Sequence, residues 1–153
     1  MSTQTFQLVG PLQVSDVPHV RRFVEHVHRH RVVDRDDISR VAMTAHELLE
    51  NAIKFSVDGA AALTIEVVES TISIRTRNRA RTEDLADLRR IADELVASDP
   101  MAFYLDQMSR SPDATGGLGL GRVAAEGDMA LSFVLDGEMV EVVATSRISG
   151  GVG

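Results

Sequence analysis

The stretch HELLENAIKFS, residues 46–56, places a carboxylate and a carboxamide one turn apart within a helical pattern. The two residues are Glu47 and Asn51, and apolar residues recur around them at spacings of three and four. This periodicity predicts a helix over residues 36–55 with one buried face. The opposite face carries polar side chains, namely Arg40, Thr44, Glu47, Asn51 and Lys54. The Glu47–Asn51 pair is therefore either a site that offers oxygen ligands to Mg²⁺ or part of a solvated helix face.

The composition is that of one globular domain with an aliphatic core. The chain has 153 residues, of which 44% are hydrophobic, 25% charged and 4% aromatic. It contains no cysteine, which excludes disulfides, thiolate metal sites and cysteine nucleophiles. The net charge of −7 disfavours nucleic acid as a partner, because binding to phosphate backbones needs clustered positive charge. The sequence has neither a signal-peptide pattern nor an apolar run of ~20 residues, so we expect no membrane partner and a cytoplasmic location.

Strand and helix patterns flank the 36–55 helix on both sides. Alternating or β-branched residues predict strands, and apolar residues at helical spacing predict helices. The predicted strands cover residues 5–10, 62–70, 71–77, 129–136 and 139–148, with a turn at Asp58 and Gly59 before the second. The remaining predicted helices cover residues 15–31, 85–95, 101–108 and 118–126.

The order of these elements predicts an α+β fold. Most strands follow one another directly, as hairpins do, and the helices need a sheet face to cover. We expect a two-layer α/β sandwich with a mixed, mostly antiparallel sheet covered by helices on one face. A single domain would span residues 1–149, and residues 150–153 would form a disordered tail.

A glycine-rich stretch, TGGLGLGR, precedes and enters the 118–126 helix. Its four glycines are Gly116, Gly117, Gly119 and Gly121. Glycine lets the backbone approach a ligand closely, and a helix start exposes unpaired N–H groups, so the stretch is a candidate phosphate site. Neither a Walker loop nor a dinucleotide fingerprint is present. Close packing of the helix on the sheet is the alternative interpretation.

Taken together, the two motifs resemble the GHKL (Bergerat-fold) ATPases. The asparagine box of that superfamily, Glu-x-x-x-Asn-Ala-x-Lys, matches Glu47, Asn51, Ala52 and Lys54, and its Gly-x-Gly-Leu box matches residues 117–120. The N-terminal strand and long helix are similar to the layout of anti-sigma-factor serine kinases. The resemblance covers essentially the whole chain and implies a histidine-kinase-like ATPase fold with ATP and Mg²⁺ as cofactors.

The resemblance also implies a role for each matching residue. Asn51 would ligate the Mg²⁺ that bridges the ATP phosphates, and Glu47 would be the catalytic base for a partner serine. Lys54 would neutralise phosphate charge. The other residues implied to bind ATP are Asn78, Gly116, Gly117, Leu118, Gly119 and Leu120.

The sequence departs from the family at the adenine site. The Asp-x-Gly-x-Gly box is replaced by TRNRARTED, residues 76–84, in which Asn78 stands near the place of the adenine-recognising aspartate. The region of the family's ATP lid carries two helical patterns instead. A strand that ends in Asn and is followed by such helices is similar to the divergent SiaB-like serine kinases, which phosphorylate a small STAS-like partner.

The function that the resemblance implies is an ATP-binding regulatory serine-protein kinase of the anti-sigma, partner-switching type. Its partner would be a STAS-domain, anti-anti-sigma-like protein or a sigma factor, and a homodimer through the N-terminal strand and first helix is carried over from the family. The missing adenine box supports an alternative, a pseudo-ATPase that binds protein and has lost nucleotide. A plain ATP hydrolase is a third hypothesis, although the chain shows no second domain that would use the energy.

Three further patterns admit a functional and an ordinary interpretation. His26 and His30, one turn apart, form either half of a Zn²⁺ site or an exposed pair. A set of four apolar or aromatic residues has the spacing of an amphipathic helix, which favours core packing over a partner-binding surface. A cluster of arginines alternates along a strand and could either bind an acidic partner or form a solvated strand face. The four residues are Met101, Tyr104, Leu105 and Met108, and the basic cluster is Arg75, Arg77, Arg79 and Arg81.

Overall fold

A computed structural model describes residues 3–29, 34–109 and 117–148 of the chain. It contains five strands, five α-helices and one short 3-10 turn at Val14–Asp16 within these ranges. The strands are β1 (Thr3–Pro11), β2 (Ser56–Val68), β3 (Thr71–Ala80), β4 (Ala130–Asp136) and β5 (Met139–Arg147). The helices are α1 (Val17–His28), α2 (Arg35–Phe55), α3 (Thr82–Ala97), α4 (Pro100–Met108) and α5 (Gly117–Ala125). The predicted tail, residues 150–153, lies outside the described residues.

The strands form one sheet in the order β1-β2-β3-β5-β4. Every neighbouring pair is antiparallel, and β2–β3 and β4–β5 are hairpins. The α+β sandwich is therefore confirmed, with the sheet antiparallel throughout its described strands. Among the described helices, none is both long and apolar enough to cross a membrane.

The core lies between the helices and one face of the sheet. Alternate residues of the neighbouring strands β2 and β3, including Leu63, Ile65 and Ile74, are fully buried together with Leu48 and Leu49 of α2. This alternation is the reason that one sheet face is apolar. The helical side of α2 that the sequence predicts as buried is thus the side that packs on the sheet.

The opposite sheet face carries ion pairs around the basic cluster. The guanidinium of Arg75 lies 3.4 Å from a carboxylate oxygen of Glu66 and 3.5 Å from one of Glu141, on the strands at either side. Arg79 lies 3.8 Å from a carboxylate oxygen of Glu138, and Arg81, which precedes α3, lies 3.5 Å from one of Asp84. The solvated-strand interpretation accounts for Arg75 and Arg79, whereas Arg81 lies at the start of α3.

The predicted turn at Asp58 and Gly59 is instead a bulge inside β2. The strand starts at Ser56, directly after α2, and its register against β3 shifts between Ser56 and Ala61. Gly59 adopts a φ of +76°, and its carbonyl accepts a hydrogen bond from the Leu12 amide at 3.0 Å. The predicted strand start at residue 62 was wrong, because this contact with a distant segment extends the strand backward.

Helix α4 exposes the residues that the amphipathic pattern assigned to the core. Its buried side chains are Phe103 and Gln107, whereas Met101, Leu105 and Met108 are exposed. The core-packing prediction was wrong for these three residues. The apolar spacing identified one face of the helix, but that face is not the buried one. Among the large apolar side chains of α4, Phe103 alone is buried.

Candidate functional site

The polar side of α2 is covered by α5 rather than by solvent. Thr44 is fully buried, and the side chain of Glu47 is only 17% exposed. Helix α5 packs on this side, and its own residues Leu120 and Val123 are buried. The hypothesis of a solvated helix face was therefore wrong for the stretch around Glu47. The structure brings the Glu47–Asn51 pair against the glycine-rich segment.

Gly119 is the point of closest approach between α5 and the pair. A Cβ atom at this position would lie 2.6 Å from Oε2 of Glu47 and 3.7 Å from Nδ2 of Asn51. The first distance is shorter than a side-chain carbon tolerates, so any larger residue at position 119 would require the tip of the Glu47 side chain to move. Glu47, Asn51 and Gly119 thus lie together, as the two motifs require if they form one site.

Three of the four glycines, Gly117, Gly119 and Gly121, lie within α5. The described part of α5 starts at Gly117, and the backbone of Leu118, Gly119 and Leu120 is helical. Amide groups in the first turn of a helix lack partners within the helix and carry a partial positive charge. The Glu47 carboxylate lies beside this turn. Gly116 lies outside the described residues.

Arg122 holds the Glu47 carboxylate from α5. Its Nη1 lies 3.4 Å from Oε1 of Glu47, and its Nε donates to Oε2 of Glu126 at 3.0 Å. The hydrogen bond to Glu126 raises the pKa of Arg122 above its ordinary value, burial lowers it, and the charge of Glu47 raises it further. Sequence reasoning missed Arg122. The Arg122–Glu126 spacing is a readable helix pair, but nothing local in the sequence indicates Glu47 as the second partner.

Asn51 and Asn78 line one small cavity between α2, α5 and the sheet. Its volume is about 20 Å³, and Leu120 contributes a wall. Asn78 is buried, and its Nδ2 has no hydrogen-bond partner in the described part of the chain. Buried amide groups without a partner are uncommon, and they often mark a place where a ligand or water binds. A cavity of this size holds about one water molecule.

Lys54 lies one turn beyond Asn51, at the exposed edge of the same side of α2. Its side chain is 52% exposed, and Nζ lies 2.9 Å from Oε1 of Glu50. His46 approaches the other oxygen of Glu50 at 3.2 Å. Burial raises the pKa of Glu50, but the hydrogen bond and charge of Lys54, together with His46, outweigh it and hold the pKa below its ordinary value of 4.5. The ammonium group is therefore engaged by Glu50 in this conformation.

The histidines of α1 do not form a metal site within the described residues. His26 is exposed, and His30 lies outside the described ranges. His28 is buried, with Nδ1 bonded to the carbonyl of Val24 at 2.9 Å and its ring edge against Phe6. In the described part of the chain no group of three or more histidine, cysteine or acidic side chains is arranged to hold a metal ion.

The fold belongs to the two-layer α+β class and is shared with a known structure. No protein-family profile and no curated protein sequence matches the chain. Among solved structures, the chain is similar to a chain in the crystal structure of the SiaB–SiaC complex from Pseudomonas aeruginosa. The TM-score is 0.67, and the alignment covers 92% of this chain and 88% of the other at 17% identity. At this identity the likeness establishes the fold.

Proposed function

We propose that the protein is an ATP-binding regulator of the GHKL type that acts in partner switching and phosphorylates a serine on a STAS-like protein. The observation that carries the proposal is the convergence of Glu47, Asn51 and Gly119 from two distant segments. The shared fold with a chain of the SiaB–SiaC complex supports the same class of function.

The polar groups around this point suit magnesium and a nucleotide. The side-chain oxygen of Asn51 is a hard ligand of the kind that Mg²⁺ prefers, and the first turn of α5 offers backbone N–H groups to phosphate. The amide of Asn78, which the resemblance assigns to adenine recognition, has a buried Nδ2 without a hydrogen-bond partner in the described residues, and this supports a ligand there. Bound Mg²⁺-ATP would supply the phosphoryl group and neutralise its developing charge.

The residues of the chain have defined tasks in this proposal. Glu47 orients the serine hydroxyl of the partner and accepts its proton, which requires the carboxylate to leave Arg122. Lys54 turns from Glu50 toward phosphate. Helix α5 moves away from α2, because a ligand pocket usually has about 300 Å³ or more and the present cavity has about 20 Å³.

Isothermal titration of ATP and ADP, with and without Mg²⁺, tests nucleotide binding. We expect Mg²⁺-dependent binding to wild type and a loss of at least about tenfold in affinity in Asn51→Ala, or roughly 1.4 kcal/mol. Gln7→Ala is the matched control, because it removes an amide from an exposed position on edge strand β1. Equal binding by wild type and Asn51→Ala would contradict the assignment of Asn51.

The phosphorylation step has a separate test. With a STAS-domain protein from the same organism and labelled ATP, Glu47→Gln should slow transfer by about 100-fold or more while ATP still binds. Unchanged transfer by Glu47→Gln would show that Glu47 is not the base.

A second candidate function is a protein-docking module without nucleotide. It is favoured by the small cavity and by the Arg122–Glu47 ion pair, which together close the site. Arg122→Ala separates the two hypotheses, because it removes this ion pair. Tighter ATP binding by Arg122→Ala than by wild type supports the kinase, whereas no binding by either protein supports the docking module.

A further inference from the structure

Helix α4 carries a buried side-chain amide that has no hydrogen-bond partner. Gln107 is only 7% exposed, although glutamine ordinarily faces solvent. Its Nε2 finds no acceptor in the part of the chain that the structure describes. A buried donor without an acceptor costs free energy on folding, and it often marks a place where a ligand binds. None of the tasks described above involves Gln107.

Gln107 lies on the side of α4 that packs on α5. Phe103, one turn before it, is the other buried residue of α4, and residues four apart share a helix face. A Cβ atom on Gly121 of α5 would lie 3.0 Å from the Phe103 ring and 3.2 Å from Cα of Tyr104. The unpartnered amide therefore belongs to the α5-facing side of α4.

Tyr104 shows in which direction α4 runs along α5. Burial raises the pKa of Tyr104, and the neighbouring Glu126 carboxylate raises it further. The Cα atom of Tyr104 thus lies near Gly121 and its phenol near Glu126, toward the C-terminal end of α5. Side chains of a helix point toward its own N-terminus, so the two helices are antiparallel. Gln107 then lies about 6 Å further along α4 than Phe103, beside the N-terminal half of α5.

Helix α4 borders the same group of side chains as α2 and α5. After burial and Glu126, the charge of Arg122 lowers the pKa of the Tyr104 phenol and that of Glu47 raises it. Arg122 itself lies 3.4 Å from Glu47. Gly119, which approaches Glu47 from α5, belongs to the N-terminal half of that helix. The three helices therefore meet at the candidate site, and Gln107 lies at its α4 border.

A neutral amide donor at this border suits a phosphate oxygen. Hydrogen bonds to a charged acceptor are roughly twice as strong as those between neutral groups. Asn78, whose Nδ2 is also buried and unpartnered in the described residues, lies on β3 in the small cavity with Asn51. The two unpartnered amides thus reach the site from different elements. Gln107 is the one beside the glycine-rich helix, whose backbone N–H groups suit phosphate.

We propose that Gln107 is a further ligand-binding residue of the candidate site and that its Nε2 donates to a phosphate oxygen of the bound nucleotide. The inference deepens the proposed function and rests on it for the nucleotide. Without ligand the same amide is unsatisfied, so it lowers stability until phosphate binds. An apolar side chain of similar length at position 107 should therefore stabilise the free protein and weaken the complex.

Gln107→Met tests both effects, because methionine keeps an unbranched chain and removes the amide. Without ligand, we expect the melting temperature to rise by about 2 °C or more, since a buried unsatisfied donor is lost. Isothermal titration should show an affinity for Mg²⁺-ATP lower by about tenfold or more, since a hydrogen bond to a charged acceptor is lost. Gln4→Met is the matched control. Oε1 of Gln4 is also buried without a partner in the described residues, but Gln4 lies on β1, so this variant should keep wild-type affinity.

Side-chain amide NMR follows the same contact in the wild-type protein. The Gln107 signals are identified by their absence from the spectrum of Gln107→Met, and exposed Gln7 and Gln13 serve as internal references. The probes are Mg²⁺-ATP and, separately, pyrophosphate. We expect each probe to move the Gln107 amide protons downfield in a saturable way, as a new hydrogen bond to oxygen does, while the Gln7 and Gln13 signals stay in place.

The outcomes separate this inference from the proposed function. Equal ATP affinity of wild type and Gln107→Met would overturn the inference and leave the proposed function standing. A lower melting temperature of free Gln107→Met would also overturn it, because the amide would then be satisfied within the fold. If wild type binds no ATP, the proposed function fails and pyrophosphate decides alone. A saturable Gln107 shift with pyrophosphate then supports the phosphate contact, and no shift overturns it.

Discussion

At the residue scale, Arg40 joins α2 to two segments that are distant in sequence. Its Nη1 donates to the carbonyl of Gly127 at 2.8 Å and to Oγ of Ser146 at 3.3 Å. Its Nη2 donates to the buried carboxylate of Asp37 at 2.7 Å. One guanidinium thus donates hydrogen bonds to Gly127 and Ser146 and also compensates the buried charge of Asp37. The planar guanidinium with its five N–H donors suits arginine to such multiple contacts.

Arg40→Ala should therefore destabilise the protein more than substitutions on the polar face of a helix usually do. The change leaves the Asp37 carboxylate and the Gly127 carbonyl without this donor, and we expect a loss of about 2 kcal/mol or more in the free energy of unfolding. Urea denaturation measures it. The control is Arg21→Ala, which removes an exposed ion pair at 3.9 Å and should cost under about 0.5 kcal/mol. Equal losses in the two variants would contradict the structural role of Arg40.

At the element scale, α5 is a glycine-rich helix that depends on its neighbours. Gly117, Gly119 and Gly121 lie within it, and each interior glycine weakens a helix by about 1 kcal/mol relative to alanine. Buried Leu120 and Val123 anchor the helix in the core. A helix with low intrinsic propensity owes its stability to packing. This balance suits the movement that nucleotide entry would require of α5.

Gly121→Ala tests how tightly α4 and α5 fit. Alanine improves helix propensity by about 1 kcal/mol, but its Cβ would meet the Phe103 ring and the Tyr104 backbone at 3.0 Å and 3.2 Å. We expect a net loss of about 1–2 kcal/mol, because a backbone atom cannot move aside as a side-chain tip does. Thermal or urea unfolding measures it.

The matched control for this change is Gly10→Ala in β1. No atom lies within 4 Å of a Cβ atom placed there. Its effect should stay within about 0.5 kcal/mol. A Gly121→Ala protein more stable than wild type would show that α4 can shift to accommodate the added Cβ atom and that α4 and α5 are not tightly packed.

At the scale of the whole molecule, the sheet has two edges, β1 and β4. Beside the β1 edge, Phe23 of α1 is 55% exposed and its ring contacts Phe6 of β1 at a centroid distance of 5.7 Å. The predicted homodimer would cover this aromatic pair and the free edge, since an unpaired strand edge readily pairs with another chain.

Light scattering coupled to size-exclusion chromatography tests the predicted dimer, because it gives the molar mass in solution. We expect a dimer for wild type and a shift toward monomer in Phe23→Asp, because a buried charge opposes association. Val134→Asp at the β4 edge is the control and should remain dimeric. The net charge of −7 adds repulsion between copies, so the dimer should tighten as salt rises. A wild-type mass of one chain at every concentration would exclude the dimer.

The local patterns of the sequence were sufficient for the class of fold and for part of the geometry of the candidate site. The strands and helices were predictable because side-chain periods of two and 3.6 are properties of neighbouring residues. The same reasoning placed Glu47 and Asn51 on one face of α2. The start of β2 was not predictable, because the Leu12–Gly59 contact that extends the strand joins residues far apart in sequence.

Only the tertiary structure decided what covers each face. Periodicity identifies an apolar or polar side of a helix, but the element that packs on it depends on how the whole sheet and its connections are arranged. Hence α5 covers the polar side of α2 around Glu47, Arg122 reaches Glu47, and Asn51 shares a cavity with Asn78. By the same logic Met101, Leu105 and Met108 of α4 are exposed, because Phe103 on the other side of the helix packs beside Gly121.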